Sequence, residues 1–235
     1  MVRFLRFLCA VAALPFACAL ALVFVDAFRL MPVSGDVLIP TGALCLSAGF
    51  AFFLVLWVCL PAPVRLYVLG HELTHALCGL FFGAWPSNLR VGLKGGSVTL
   101  TKSNVWITLA PYFFPFYTFL VIVVALITSA FIRPLPCLPL WMFAVGFTWA
   151  FHALFTLETL AQRQPDVKLY GRIFSWVFIF LANVAFILLF LASTTSLTFA
   201  QLGGFLMNRI IDAYVGVGLA AVDAFKWVVS KCSRT

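Results

Sequence analysis

Residues 67–82 read Tyr67-Val68-Leu69-Gly70-His71-Glu72-Leu73-Thr74-His75-Ala76-Leu77-Cys78-Gly79-Leu80-Phe81-Phe82. The run is apolar apart from one cluster, His71-Glu72-Leu73-Thr74-His75. On a helix the two histidines stand one turn apart and project from the same face. Imidazoles at that spacing can hold one Zn²⁺, and the glutamate between them can serve as general base toward an attacking water. A soluble metallohydrolase carries this motif in a polar setting. Here the surrounding chain is 64% hydrophobic and 9% charged, which points to zinc chemistry at or within a membrane.

Composition bounds the fold. Ordinary domains are about 25% charged, and this chain of 235 residues has a mean hydropathy of +1.13. Several apolar runs approach the ~20 residues that cross hydrocarbon as a helix. The expected fold is an all-α polytopic membrane protein with about six, or seven, transmembrane helices. A single domain over residues 1–235 is expected, with a catalytic core at about 64–191, because no long polar linker interrupts the chain. The net charge of +8 comes from basic residues scattered between apolar runs. They read as loop charges that orient the protein and meet anionic headgroups, not as a nucleic-acid stripe. The seven cysteines, Cys9, Cys18, Cys45, Cys59, Cys78, Cys137 and Cys232, form no C-x-x-C pair and lie mostly in apolar runs, so no disulfide framework is expected.

Outward from the motif, Pro61 and Pro63 end a span from Gly42 to Leu60 and open the motif helix, about Val64 to Phe82. Gly83 and Pro86 stop that helix. Upstream, Arg3 and Arg6 precede a run from Phe7 that resembles a signal peptide. The run continues to Phe28, so an uncleaved first span is expected. Asp26 and Arg29 are spaced to pair at its end, before a connection with Pro32, Gly35, Asp36 and Pro40. Downstream, Val91, Leu93, Val98 and Leu100 alternate around Gly95-Gly96. That pattern predicts a β-hairpin over Arg90 to Lys102 with a glycine turn, packed against the helices beside the motif. Spans follow at Trp106–Phe131, kinked by Pro111 and Pro115, at Leu138–Leu160 and at Ile173–Leu191. A polar connection, Gln162 to Gly171, separates the last two. The tail from Phe205 to Val229 reads as a weaker helix, spanning or interfacial. The loop charges favour an arrangement in which the motif helix and hairpin enter and leave from the cytoplasmic side.

Zinc needs a third protein ligand. No His or Glu follows His75 closely, which leaves His152, Glu158 and Asp166 as the main candidates. Cys78 shares the face of His71 and His75; it is a rival thiolate ligand or, more simply, a small apolar neighbour. His152, Glu158 and Cys78 can also act one step removed, by holding a ligand in orientation. Pro111-Tyr112-Phe113-Phe114-Pro115 is set apart because broken backbone at membrane depth lines cavities.

These residues resemble the site-2 protease family of intramembrane zinc metalloproteases. The resemblance rests on H-E-L-T-H in an apolar helix, the glycine-containing hairpin just after it, and an aspartate near the start of a later span. It implies that His71, His75 and Asp166 hold Zn²⁺, that Glu72 is the catalytic base, and that the substrate is a transmembrane protein or peptide met in the lipid bilayer. This chain has Thr74 and Val167 where the family has glycine, and no PDZ-like insert.

Other readings are a non-proteolytic multi-pass membrane protein, either a transporter or a structural metal site with a buried His/Glu cluster, and a zinc hydrolase of a lipid or prenylated peptide. Compactness and the lack of organelle signals point to a bacterial cytoplasmic membrane.

Overall fold

The structure is a computed structural model. It describes residues 2–29, 41–93, 95–162, 164–194 and 198–232. The connection through Pro32, Gly35, Asp36 and Pro40 lies outside them, as do Lys94, Arg163 and the side chain of Arg29. The chain is mostly helical, with one small sheet, and its residues cluster into two compact units, Met1–Pro32 with Tyr170–Thr235, and Val33–Leu169.

The continuous middle unit holds the motif. Helix α2 (Thr41–Cys59) carries no charged residue and packs along α6 (Leu138–Ala161). The two backbones meet at glycines. A Cβ on Gly49 would lie 2.0 Å from the Phe143 carbonyl oxygen, and one on Gly146 would lie 1.9 Å from that of Leu46. Only hydrogen fits at either position, and close backbone approach through small residues is how apolar helices gain packing where burial alone gives little. Phe53, Ala150, Phe151 and Phe155 fill the core beside this contact.

The motif helix α3 spans Val64–Phe81 and follows Pro63. It ends through Gly83 at φ +67°, with the Ala84 N–H returning to the Gly79 carbonyl at 2.8 Å. That left-handed turn is a glycine conformation. Strands β1 (Pro86–Gly92) and β2 (Gly95–Leu100) form the expected antiparallel hairpin against α3. It starts earlier than the sequence predicts, and its turn differs. Gly92 pairs with Gly95, so Gly95 and Gly96 belong to β2 rather than to the reversal. The reason at Gly96 is contact. A Cβ there would sit 2.6 Å from Val68 Cγ1 and 2.8 Å from Glu72 Cγ.

Helix α4 (Val105–Leu109) is capped by Asn104, whose side chain accepts from the Ile107 N–H at 2.9 Å. Its continuation is a 3-10 turn, Ala110–Tyr112. Helix α5 (Phe116–Phe131) then leaves at 85°. The break falls where Pro111 and Pro115 deny backbone donors and clash with the preceding turn. The segment expected to be a polar connection contains a short helix, α7 (Pro165–Tyr170), with Pro165 at its first position. Proline is favoured there because its missing N–H has no helical partner anyway.

The other unit is built from both ends of the chain: α1 (Val2–Arg29), α8 (Arg172–Thr194) and α9 (Phe199–Cys232). Leu20, Val23, Ala27, Val184, Leu188 and Leu202 make its core. Asp26 pairs with Arg209 through two contacts, Oδ2 to Nε at 2.7 Å and Oδ1 to Nη2 at 2.9 Å. The tail read as a weak helix is thus a 34-residue one.

Among the described residues five helices, α1, α2, α6, α8 and α9, are long and apolar enough to cross a membrane, or six crossings if the bent α4–α5 pair is one span. The motif helix, which carries Arg65, His71, Glu72 and His75, is not among them.

Candidate metal centre

His71 and His75 project from α3 toward α7, and Asp166 in the first turn of α7 meets them. Nε2 of His71 is 3.5 Å from Asp166 Oδ2, and Nε2 of His75 is 3.6 Å from the same oxygen. One donor atom from each of the three residues lies within 4.8 Å of the others. Neither nitrogen is at hydrogen-bond distance from the carboxylate, which is about 2.7–3.2 Å. The spacing instead matches tetrahedral zinc: bonds of about 2.0–2.1 Å put neighbouring ligand atoms about 3.4 Å apart. The donor set is also the hydrolytic one, two imidazoles and one carboxylate. These three residues therefore fit a zinc ion.

Supporting contacts fix the ligands. His75 Nδ1 is 2.8 Å from the Ile107 carbonyl oxygen. A carbonyl only accepts, so Nδ1 carries the proton and the neutral ring keeps its Nε2 lone pair for a metal. That carbonyl is available because of sequence. In an α-helix its partner would be the N–H four residues on, and residue 111 is proline. His71 Nδ1 lies 3.3 Å from the Tyr67 hydroxyl. The buried Tyr112 donates to Asp166 Oδ2 at 3.1 Å. Burial alone would raise the Asp166 pKa, but the interaction with His71 and His75 outweighs it and holds the carboxyl below the usual carboxylate range. Asp166 is therefore ionised, as a metal ligand must be.

Glu72 is buried and lines the same cavity as the three ligands, a space of about 1000 Å³. Val98 of β2 lines the cavity with it. Thr74, where the resembled family has glycine, is accommodated without loss: its buried hydroxyl donates to the Gly70 carbonyl at 2.7 Å.

The remaining sequence candidates stand apart from the trio. His152 is buried, but among the described residues its Nε2 has no hydrogen-bond partner. It borders a separate pocket of about 20 Å³ shared with His71 and Tyr117, enough for one water. Glu158 is exposed and lines the large cavity, outside the ligand group. Cys78 is half-buried and reduced and is likewise outside that group. Sequence reasoning missed Tyr67, Tyr112 and the Ile107 carbonyl. The signal for the last two was the proline-flanked stretch from Pro111 to Pro115, whose broken backbone brings both to the site.

Comparison with known family models, curated proteins and solved structures finds no match to this chain.

Proposed function

We propose that this protein is an intramembrane zinc metalloprotease, a multi-pass membrane protein of the site-2 protease kind that hydrolyses peptide bonds of membrane-protein substrates. The observation that carries the reading is the convergence of His71, His75 and Asp166, with Asp166 Oδ2 3.5 and 3.6 Å from the two Nε2 atoms and Glu72 lining the same cavity. Zinc held by the three residues would act as a Lewis acid, making water acidic near neutral pH and polarising the scissile carbonyl.

The chain's own residues supply the rest. Glu72 takes a proton from the attacking water and returns it to the leaving amine. Tyr112, Tyr67 and the Ile107 carbonyl keep the ligands oriented. The apolar walls around Val64, Leu93 and Leu169 receive a hydrophobic segment. The five apolar helices support a bilayer location, where ionisable side chains are expensive and mark function.

Glu72 separates this reading from a structural metal site or a transporter, since neither needs a base. The test is elemental analysis on detergent-purified protein together with cleavage of single-span peptides. About one zinc per chain is expected, lost in His71→Ala and in Asp166→Ala. Glu72→Gln should retain zinc and lose cleavage. Full cleavage by Glu72→Gln would rule out the protease assignment.

A further inference from the structure

The charge on the cavity wall is one-sided. Three carboxylates line it, Glu72, Asp166 and Glu158, and among the described residues no lysine or arginine does. Two of the three are accounted for, Asp166 as a ligand and Glu72 as the base beside it. A divalent zinc balances that pair. Among the described residues Glu158 has no counter-charge on a lining that is otherwise partly apolar. Such a space focuses field and attracts the opposite charge.

Glu158 is also placed to meet a substrate rather than to hold the fold. It is exposed near the C-terminal end of α6. Gln162 lies one turn further on, and Gln162 and Gln164 line the same wall, so amide oxygens accompany the carboxylate. Val64, Leu93 and Leu100 also line the cavity. The cavity lining thus combines carboxylates and side-chain amides with apolar side chains. A polypeptide that satisfies both has a hydrophobic stretch ending in a cationic side chain, whose long aliphatic stem follows apolar surface while its head reaches the acceptors.

We propose that Glu158 determines specificity: it receives a lysine or arginine lying within a few residues of the scissile bond, so the substrate class is a transmembrane segment with a basic flank. This rests on the protease reading above.

The test uses the zinc-loaded full chain in detergent and a synthetic library of single-span peptides with the flanking residues randomised. New termini are identified by mass spectrometry. Wild type is expected to enrich Lys or Arg at one flanking position by roughly three- to tenfold, the range of a partly screened charge pair. Glu158→Gln should erase the enrichment, and Glu158→Lys should replace it with Asp or Glu. A second readout is fluorescence anisotropy of a labelled Lys-flanked or Glu-flanked peptide bound to Glu72→Gln, and to the same protein carrying Glu158→Lys. The Lys-flanked peptide should bind more tightly to the first and less tightly to the second.

Cleavage with no charge preference, or a preference that survives both substitutions, overturns the role of Glu158 and leaves the protease intact. Charge-selective binding without any cleavage by wild type supports the Glu158 contact and overturns the protease. Absence of both cleavage and charge-selective binding overturns both.

Discussion

Tyr112 donates its hydroxyl hydrogen bond to Asp166 Oδ2, the same oxygen that faces the Nε2 atoms of His71 and His75. A tyrosine from the broken stretch between α4 and α5 therefore holds the ligand contributed by α7. Tyr112→Phe keeps the buried ring and removes only the donor. Zinc affinity is expected to fall roughly 10- to 100-fold, as for other residues that orient a metal ligand, while thermal stability changes little. Competition against a chelator of known affinity measures this.

Gly96 lets β2 lie directly on the motif helix. A Cβ there would reach 2.8 Å from Glu72 Cγ and 2.8 Å from the Arg90 carbonyl oxygen. Gly96→Ala is expected to displace Glu72, at an overpacking cost of about 1–3 kcal/mol. Peptide cleavage should drop at least about tenfold, the size of a positioned acid–base contribution in part lost. Zinc content, set by the other three residues, should remain. Parallel elemental analysis and cleavage assays distinguish the two effects.

The contact between α2 and α6 leaves less room still. At Gly49 and Gly146 an added Cβ would fall on a backbone carbonyl, which cannot turn aside as a side chain can. Gly49→Ala and Gly146→Ala are each expected to lower the unfolding temperature in detergent by several degrees, corresponding to about 1–3 kcal/mol or more. Unchanged melting curves would mean that the helices do not approach this closely.

Asp26 and Arg209 form a two-contact pair in an otherwise apolar setting. Removing either partner takes two charge-assisted hydrogen bonds from the other. Asp26→Ala and Arg209→Ala are each expected to destabilise the protein, and the double variant by less than their sum. Zinc stoichiometry should not change, because His71, His75 and Asp166 all lie in the Val33–Leu169 unit. Thermal melts of the four proteins complete the cycle.

Much of the architecture was legible in order along the chain. Pro61, Pro63 and Gly83 bound α3 because proline and left-handed glycine act locally. The apolar runs of α2, α6 and α8 stand within a few residues of where composition puts them. What sequence could not supply was contact between distant residues. The spacing of Asp26 suggests Arg29, whose side chain lies outside the described residues; nothing local announces Arg209, 183 positions away, with which Asp26 pairs. Gly95-Gly96 looks like a turn because glycine serves both turns and close approach, and only the packing of β2 on α3 tells them apart. In the site, H-E-x-x-H is local and was plain. Asp166 was one of several acids until α7 brought it to the histidines. Tyr112 was hidden among aromatics, and its role depends on the bend that follows it.

The pairing of α1 with α9 also has a consequence for biogenesis. The middle unit is contiguous in sequence and complete once residue 169 has been made. The Asp26 carboxylate emerges early, and its counter-ion is 183 residues later. At synthesis rates of about 5–20 residues per second, that interval is roughly 10–40 s. During it Asp26 lacks the two contacts that Arg209 supplies. The Asp26–Arg209 contact therefore forms later in synthesis than the contacts within the middle unit can. A ribosome-stalled chain ending before Arg209 is expected to contain a metal-competent middle unit and an α1 that is still accessible to crosslinking.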